Sequence, residues 1–270
     1  MRRSKTKYLL TAGLLTLGSL AFAPGCATND SSMFVVGVIA INESACLAKP
    51  DTTAAMLPAG VLDTVFKQDY TAFLLVGNQL TQRGSREQLR TETSRVSLRG
   101  AEVTLTTLGG EDIKITRTDA AGKTTTSSAH YSTVGTGFVD AAAGDAPSYA
   151  AVSVSLIPAA VAASGSLPGQ VLAKIRVFGN TLGGKSVTSS ELDFPITICS
   201  GCLVTYPAQG DPTAATYMCP SPSAADMASA AAAPCILGQD APISCTLCSA
   251  SYDACKDPTK NPAYMSSMTP

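Results

Sequence analysis

Along most of the chain apolar side chains alternate with small polar ones, the period-2 signature of strands half-buried in a sheet. Val152, Val154 and Leu156 form one such face, Val171, Ala173, Ile175 and Val177 a second, and Leu192, Phe194, Ile196 and Ile198 a third. Residues 70–80 alternate in the same way, and the continuous apolar run at 34–41 has the β-branched content of a buried first strand. Residues 61–66 fit either a helical face or a short strand, and the shortness of the segment favours strand. Val96 and Leu98 share one face, but Ala101, Val103 and Leu105 have the opposite parity; a bulge at Gly100 returns both sets to the core. Gly109-Gly110 marks a turn, after which Ile113 and Ile115 open the return strand of a hairpin. Polar or Gly/Ala-rich stretches at 83–95, 119–128, 135–148 and 164–169 read as loops and turns, the third of them crossing between sheets. Short strands with regular turn signals predict an all-β fold, an antiparallel immunoglobulin-like β-sandwich over residues 33–198.

The alternation stops at Cys199. Residues 199–270 hold seven of the nine cysteines, many Pro and Ala, and few periodic apolar positions. This reads as a disulfide-rich, mostly irregular C-terminal segment, in which Ser223 and Asp226 resemble a capping box opening a short Ala-rich helix stopped by Pro234.

The other end of the chain changes how those cysteines are read. Arg2, Arg3, Lys5 and Lys7 precede an uncharged stretch at 8–23, the pattern of a secretory signal peptide over residues 1–25. The apolar run falls short of the roughly 20 residues that span a membrane, and it breaks at Pro24-Gly25. Ala23-Pro24-Gly25-Cys26 looks like a bacterial lipobox, which makes Cys26 the expected lipidation site and residues 26–32 a tether. The alternative is an ordinary cut after Ala23 or Gly25 that leaves Cys26 to pair or stay free. Ala27, where Asp often signals inner-membrane retention, points to the outer membrane.

Charge adds one exclusion. Only 14% of the chain is charged, against about 25% in an average soluble protein. Removing the four basic leader residues leaves 15 Lys+Arg against 20 Asp+Glu, formally −5. That is no footprint for nucleic acid.

Two motifs carry chemistry at face value. Gly179 to Ser186 is a literal G-x-x-x-x-G-K-[ST] match, but a phosphate loop needs a following helix whose amides point at the phosphate. Residues 187–195 alternate and end in Pro195, so the match reads as a Gly-rich hairpin turn without nucleotide binding. Cys199-x-x-Cys202 and Cys245-x-x-Cys248 form a pair of C-x₂-C motifs. In an exported chain these read as disulfides, with structural zinc or a redox dithiol as the alternatives. Cys46, Cys199, Cys202, Cys219, Cys235, Cys245, Cys248 and Cys255 are thus the expected disulfide cysteines. Seven lie in the tail, so complete pairing within one chain sends one bridge out to Cys46. Cys199 or Cys202 is its expected partner, because the first strand of such a sandwich often runs beside the last. His130, the single histidine, falls in a polar loop with no G-x-S-x-G elbow to pair with it. No catalytic, cofactor-binding or metal-ligating set is legible.

Asn78 in LLVGNQL, the stretch FPITICSGCLV at 194–204 and the Cys-rich Pro/Ala tail together resemble uncharacterised lipoproteins common in myxobacteria and related predatory or soil bacteria. The resemblance implies no activity. The function expected is a lipid-anchored protein of the cell envelope, attached to the membrane through its N-terminus, with a structural or surface-contact role and no catalysis. An exported hydrolase with an unrecognised site and a periplasmic thiol-disulfide protein are the alternatives.

Overall fold

The computed structural model describes residues 32–85, 87–118, 121–164, 167–205 and 234–244. It is mostly β. One sheet has the order β2 (Met56–Leu57), β1 (Met33–Ile39), β4 (Tyr70–Asn78), β9 (Ser148–Ile157), antiparallel throughout. The second has the order β3 (Gly60–Asp63), β12 (Leu192–Cys199), β10 (Gln170–Thr181), β5 (Val96–Thr106), β8 (His130–Val139), with β11 (Ser186–Thr188) folded back on β10. Here β3 and β12 run parallel, and the other pairs are antiparallel. Two small ribbons complete the described β structure: the hairpin β6 (Lys114–Thr118) with β7 (Thr124–Ser128), and the parallel pair β13 (Val204–Thr205) with β14 (Ile243–Ser244).

Both sheets turn an apolar face into one core. Along β10 the buried positions are Val171, Ala173, Ile175 and Val177, opposite Val103 and Leu105 of β5 and joined by Leu74, Val76, Val152, Val154 and Leu156 of the other sheet. The parity change on β5 is resolved as expected. Against β10 the register slips at the facing Phe178 and Gly179 and leaves Arg99 as the exposed extra residue of β5; against β8 it slips between Leu98 and Gly100, where Gly135 and Thr136 stand opposite the one Arg99. Gly100 and Gly179 permit this approach. A Cβ on Gly100 would lie 2.1 Å from the Thr133 carbonyl oxygen, and one on Gly179 2.4 Å from that of Ser97.

Several expectations are corrected. Residues 119–128 are not one loop: β7 occupies Thr124–Ser128, because the Thr/Ser run there pairs with β6 around a turn at Gly122 (φ 78°). Gly135 to Val139 stay in β8, and the chain crosses to the other sheet only afterwards, at 140–147. His130 opens β8 rather than lying in a loop; it is exposed, with Nδ1 2.8 Å from Thr104 Oγ1 on the neighbouring strand. Residues 61–66 give only the short strand β3, since the Asp63 side chain accepts the Val65 amide (3.1 Å) and turns the chain. A one-turn helix, α1 (Ala159–Ala162), follows Pro158, which the alternation did not announce. The helix expected after Ser223, the leader, Cys26 and the tether up to Ser31 lie outside the described residues.

The strands give the body two distinct ends. β4 runs nine residues from Tyr70 to Asn78, a rise of about 26 Å. At the Asn78 end lie Ser32 and the loops 79–95, 140–147 and 182–185; at the Tyr70 end lie Cys46, Asp63, Cys199 and the described part of the C-terminal segment. Buried Asn78 organises its end by donating to the carbonyls of Ser94 (3.0 Å) and Asp140 (2.9 Å) and accepting the Leu80 amide (3.0 Å).

Candidate functional site

At the Tyr70 end the C-terminal segment closes across both sheets, and three side chains make the seam. Asp63, fully buried at the end of β3, accepts the amides of Gly201 (2.7 Å) and Leu203 (3.0 Å) in addition to that of Val65. Its own amide donates to Gly238 (2.9 Å). Gln239 takes both backbone groups of Thr71, accepting from its amide (3.0 Å) and donating to its carbonyl (2.7 Å). Those groups need a partner because pairing of β1 with β4 stops at Val38 and Leu74. Asp240 accepts the Val61 amide (2.8 Å) through Oδ1 and the Tyr70 hydroxyl through both oxygens (3.0 and 2.9 Å). Every one of these links joins residues far apart in sequence, apart from the local Asp63–Val65 turn.

The described disulfides stand at the same end. Cys46 is bonded to Cys235 with a Cα separation of 5.3 Å, and the Cys235 amide donates to Glu43 (2.9 Å). The crossing bond expected at Cys199 or Cys202 therefore goes elsewhere. Cys199 is bonded to Cys202 (Cα separation 5.9 Å) through a turn at Gly201 (φ 80°). The reason is topological: Cys46 follows β1, which lies in the other sheet from β12, and the strand that does run parallel beside β12 is β3, later in the chain. Cys219, Cys245, Cys248 and Cys255 lie outside the described residues.

Where β1 leaves β4 and residues 236–242 lie across the gap, a cavity of about 290 Å³ remains. Ile41, Leu57, Phe73 and Ile236 give it an apolar lining, and Glu43 and Asp240 add carboxylates. Burial pushes the Asp240 carboxyl above its usual range, against the hydrogen bonds from Val61, Tyr70 and Gln239, and nearby Glu43 pushes it the same way as burial. Burial and the Asp240 charge together push the Tyr70 phenol up, so it stays a neutral donor. A group whose pKa is raised on folding stabilises most below its unfolded value and loses that contribution as pH rises through the folded value. Asp240→Asn keeps an oxygen for the Val61 amide and removes the buried charge. We expect the variant to match or exceed the wild type in urea midpoint at neutral pH. The wild type should then gain on it as the pH falls from neutral through the raised folded value to the ordinary carboxylate value, below which the difference levels off; a difference that does not change with pH would contradict this.

Asp63, Cys199 and Cys202 bring three potential metal donors within 4.8 Å of one another. The carboxylate already accepts three amides and the two sulfurs are bonded together, so the arrangement works as a cross-link. A zinc centre there would need both thiolates freed and a fourth donor. As a redox pair it is poorly set, because an adjacent carboxylate opposes thiolate formation. Thr104 and His130 form the one hydroxyl–imidazole contact among the described hydrogen bonds, on an exposed sheet face away from this cavity. The Gly179–Ser186 motif is a hairpin turn between β10 and β11, with Gly184 at φ 85° and a strand, not a helix, after Lys185.

No family model matches the chain, and no curated protein does. Among solved structures, Spo0M, a sporulation control protein from Bacillus subtilis, matches with 10% identity over 53% of this chain and 51% of that one, at a TM-score of 0.22. A likeness at that level decides neither fold nor function.

Proposed function

We propose that this chain is a lipid-anchored protein of the cell envelope, held at the outer membrane through Cys26, without catalytic activity, and serving a structural or surface-contact role. The observation that carries the reading is the opposition of its two ends. Ser32, six residues past Cys26, accepts the Gln79 amide (2.9 Å) at one end, while the Cys46–Cys235 bond and the apolar cavity lie at the other, about one strand length away. An acyl anchor at Cys26 then holds the first end at the bilayer and turns the seam outward, and a disulfide-closed seam suits an oxidising compartment. We propose further that the body is an immunoglobulin-like sandwich. β1, β4 and β9 follow the A-B-E order of such sandwiches, β12, β10, β5 and β8 the order G-F-C-C′, and β3 takes the place of a split first strand beside the last.

Metabolic labelling with a fatty-acid analogue tests the anchor: the wild type takes up label and Cys26→Ser does not. Equal labelling of the two would overturn the assignment. Crosslinking in intact membranes followed by mass spectrometry identifies what the seam touches, and the contact reading expects crosslinks at Glu43 or Lys49 rather than in the loop 79–95.

A further inference from the structure

We infer that the cavity at the Tyr70 end binds a small organic ammonium, a primary amine on an apolar body of about one ring, with Glu43 and Asp240 receiving its charge. The inference goes beyond the anchored reading above and does not depend on it, since the cavity belongs to the folded body whether or not Cys26 carries lipid.

The apolar part of the site follows from strand parity. Val38, Ala72 and Leu74 face the core between the sheets, so Ile39 and Phe73 stand on the opposite face of the first sheet. Pairing of β1 with β4 stops at Val38, and past that point Ile41 and residues 236–242 supply further walls. Ile39, Ile41, Phe73 and Ile236 thus border a volume of about 290 Å³ that the described side chains leave open. Cavities of this size stand at the lower end for organic ligands, which sets the apolar body at one ring or a short alkyl chain.

The carboxylates come from opposite lips, and each is held from across the gap. Glu43 follows β1, and the Cys235 amide of the C-terminal segment donates to its Oε2 (2.9 Å). Asp240 belongs to that segment, and the Val61 amide (2.8 Å) and the Tyr70 hydroxyl of the body fix it. The Cys46–Cys235 bond and the pairing of Gln239 with Thr71 keep the two lips in place. Groups fixed in this way lose little freedom when a ligand arrives. Asp240 already accepts hydrogen bonds on both oxygens, the Gln239 side chain adding one (3.1 Å), so its contribution is charge. Glu43 is exposed at the opening, and its Oε1 takes no hydrogen bond among the described residues.

Two carboxylates on one apolar cavity repel each other. Glu43 adds to the burial that already disfavours the charged form of Asp240. An ammonium between them reverses both effects: it neutralises the pair, donates a charge-assisted hydrogen bond to Glu43 Oε1, and lays its apolar body against Ile41 and Phe73. Other ligands answer these groups less well. A divalent metal wants about six oxygens, which apolar walls do not supply. An anion would add a third negative charge, and a neutral apolar molecule would leave the repulsion in place.

Amide NMR titrations of the purified chain, with disulfides intact and at neutral pH, compare three molecules of similar shape: phenethylammonium, phenethyl alcohol and hydrocinnamate. The amine should shift the amides of Ile39, Ile41, Phe73 and Ile236 and bind about tenfold more tightly than the alcohol, the effect of one charge-assisted hydrogen bond. Hydrocinnamate should not bind. Glu43→Gln and Asp240→Asn each keep an oxygen for the backbone amide they accept, so the fold is retained. Each should lower the amine affinity about tenfold and leave that of the alcohol unchanged, a split that a loss of structure would not produce. Ile236→Ala should weaken both ligands. Equal affinity for amine and alcohol, shifts confined to another part of the chain, or charge variants that spare the amine or weaken both ligands alike would overturn the inference. Tighter binding of acetyl-lysine amide, with its free side-chain amine, would also overturn it, by assigning the cavity to a protein side chain. Fatty-acid labelling of Cys26 is read separately, so either reading can fail while the other stands.

Discussion

Cys46→Ala combined with Cys235→Ala should lower the unfolding free energy by as much as about 5 kcal/mol. The bond joins residues 189 apart, and in the chain-entropy model a loop of that length removes about that much freedom from the unfolded chain, less any strain in the native bond. The same model gives only about 1.5 kcal/mol for Cys199–Cys202, which spans three residues. Urea unfolding of the two double-alanine variants under non-reducing conditions checks the contrast. Equal losses, or a larger one for Cys199–Cys202, would show that the long crossing bond is not the principal staple. The loss should be local in its kinetics as well. With Cys235 released, residues 234–244 are held to the sheets by the Asp63, Gln239 and Asp240 contacts and the β13–β14 ribbon, so protease cleavage in the C-terminal segment should speed up before the body melts.

Asp63→Ala should cost about 4 kcal/mol with every disulfide in place. The carboxylate accepts three amides from a fully buried position. Alanine leaves the buried Gly201 amide and the part-buried Val65 and Leu203 amides without that partner, and an orphaned buried N–H costs about 1–3 kcal/mol, less what water recovers at the part-buried two. Asp63→Asn retains one accepting oxygen and should cost about half as much. Denaturant midpoints for the pair measure both numbers. A loss under 1 kcal/mol for alanine would mean that the Gly201–Leu203 turn stands by itself. Asp63 and the Cys46–Cys235 bond hold different stretches of the tail, so their effects should add nearly independently.

The strand body was legible in the sequence because burial on one face of a sheet writes itself as alternation. The faces at 152–156, 171–177 and 192–198 appear in the structure as read, and even the bulge at Gly100 was visible, since a single extra residue inverts the parity of everything after it. Polar strands were missed for the same reason. β7 and the start of β8 expose most of their side chains, so no apolar face marks them, and backbone pairing alone makes them strands.

Neither the seam nor the buried polar anchor at the other end was legible. Asp63, Asn78, Gln239 and Asp240 are ordinary polar residues in sequence. Their one anomaly is place: Asp63 and Asn78 end apolar runs, and Gln239-Asp240 is the polar pair of an otherwise apolar stretch at 236–243. Counting cysteines called for one bond out of the tail to Cys46, because parity is a property of composition. Which cysteine receives it depends on which sheet each strand joins, and that is set by pairings between residues far apart in the chain, such as Val38 with Leu74 and Gly60 with Ile196. By itself the sequence determined the alternating strands and the bulge that keeps them in register. Only the tertiary structure decided what the polar residues hold together, because a buried hydrogen bond requires two groups to meet in space and leaves no periodic trace in the chain.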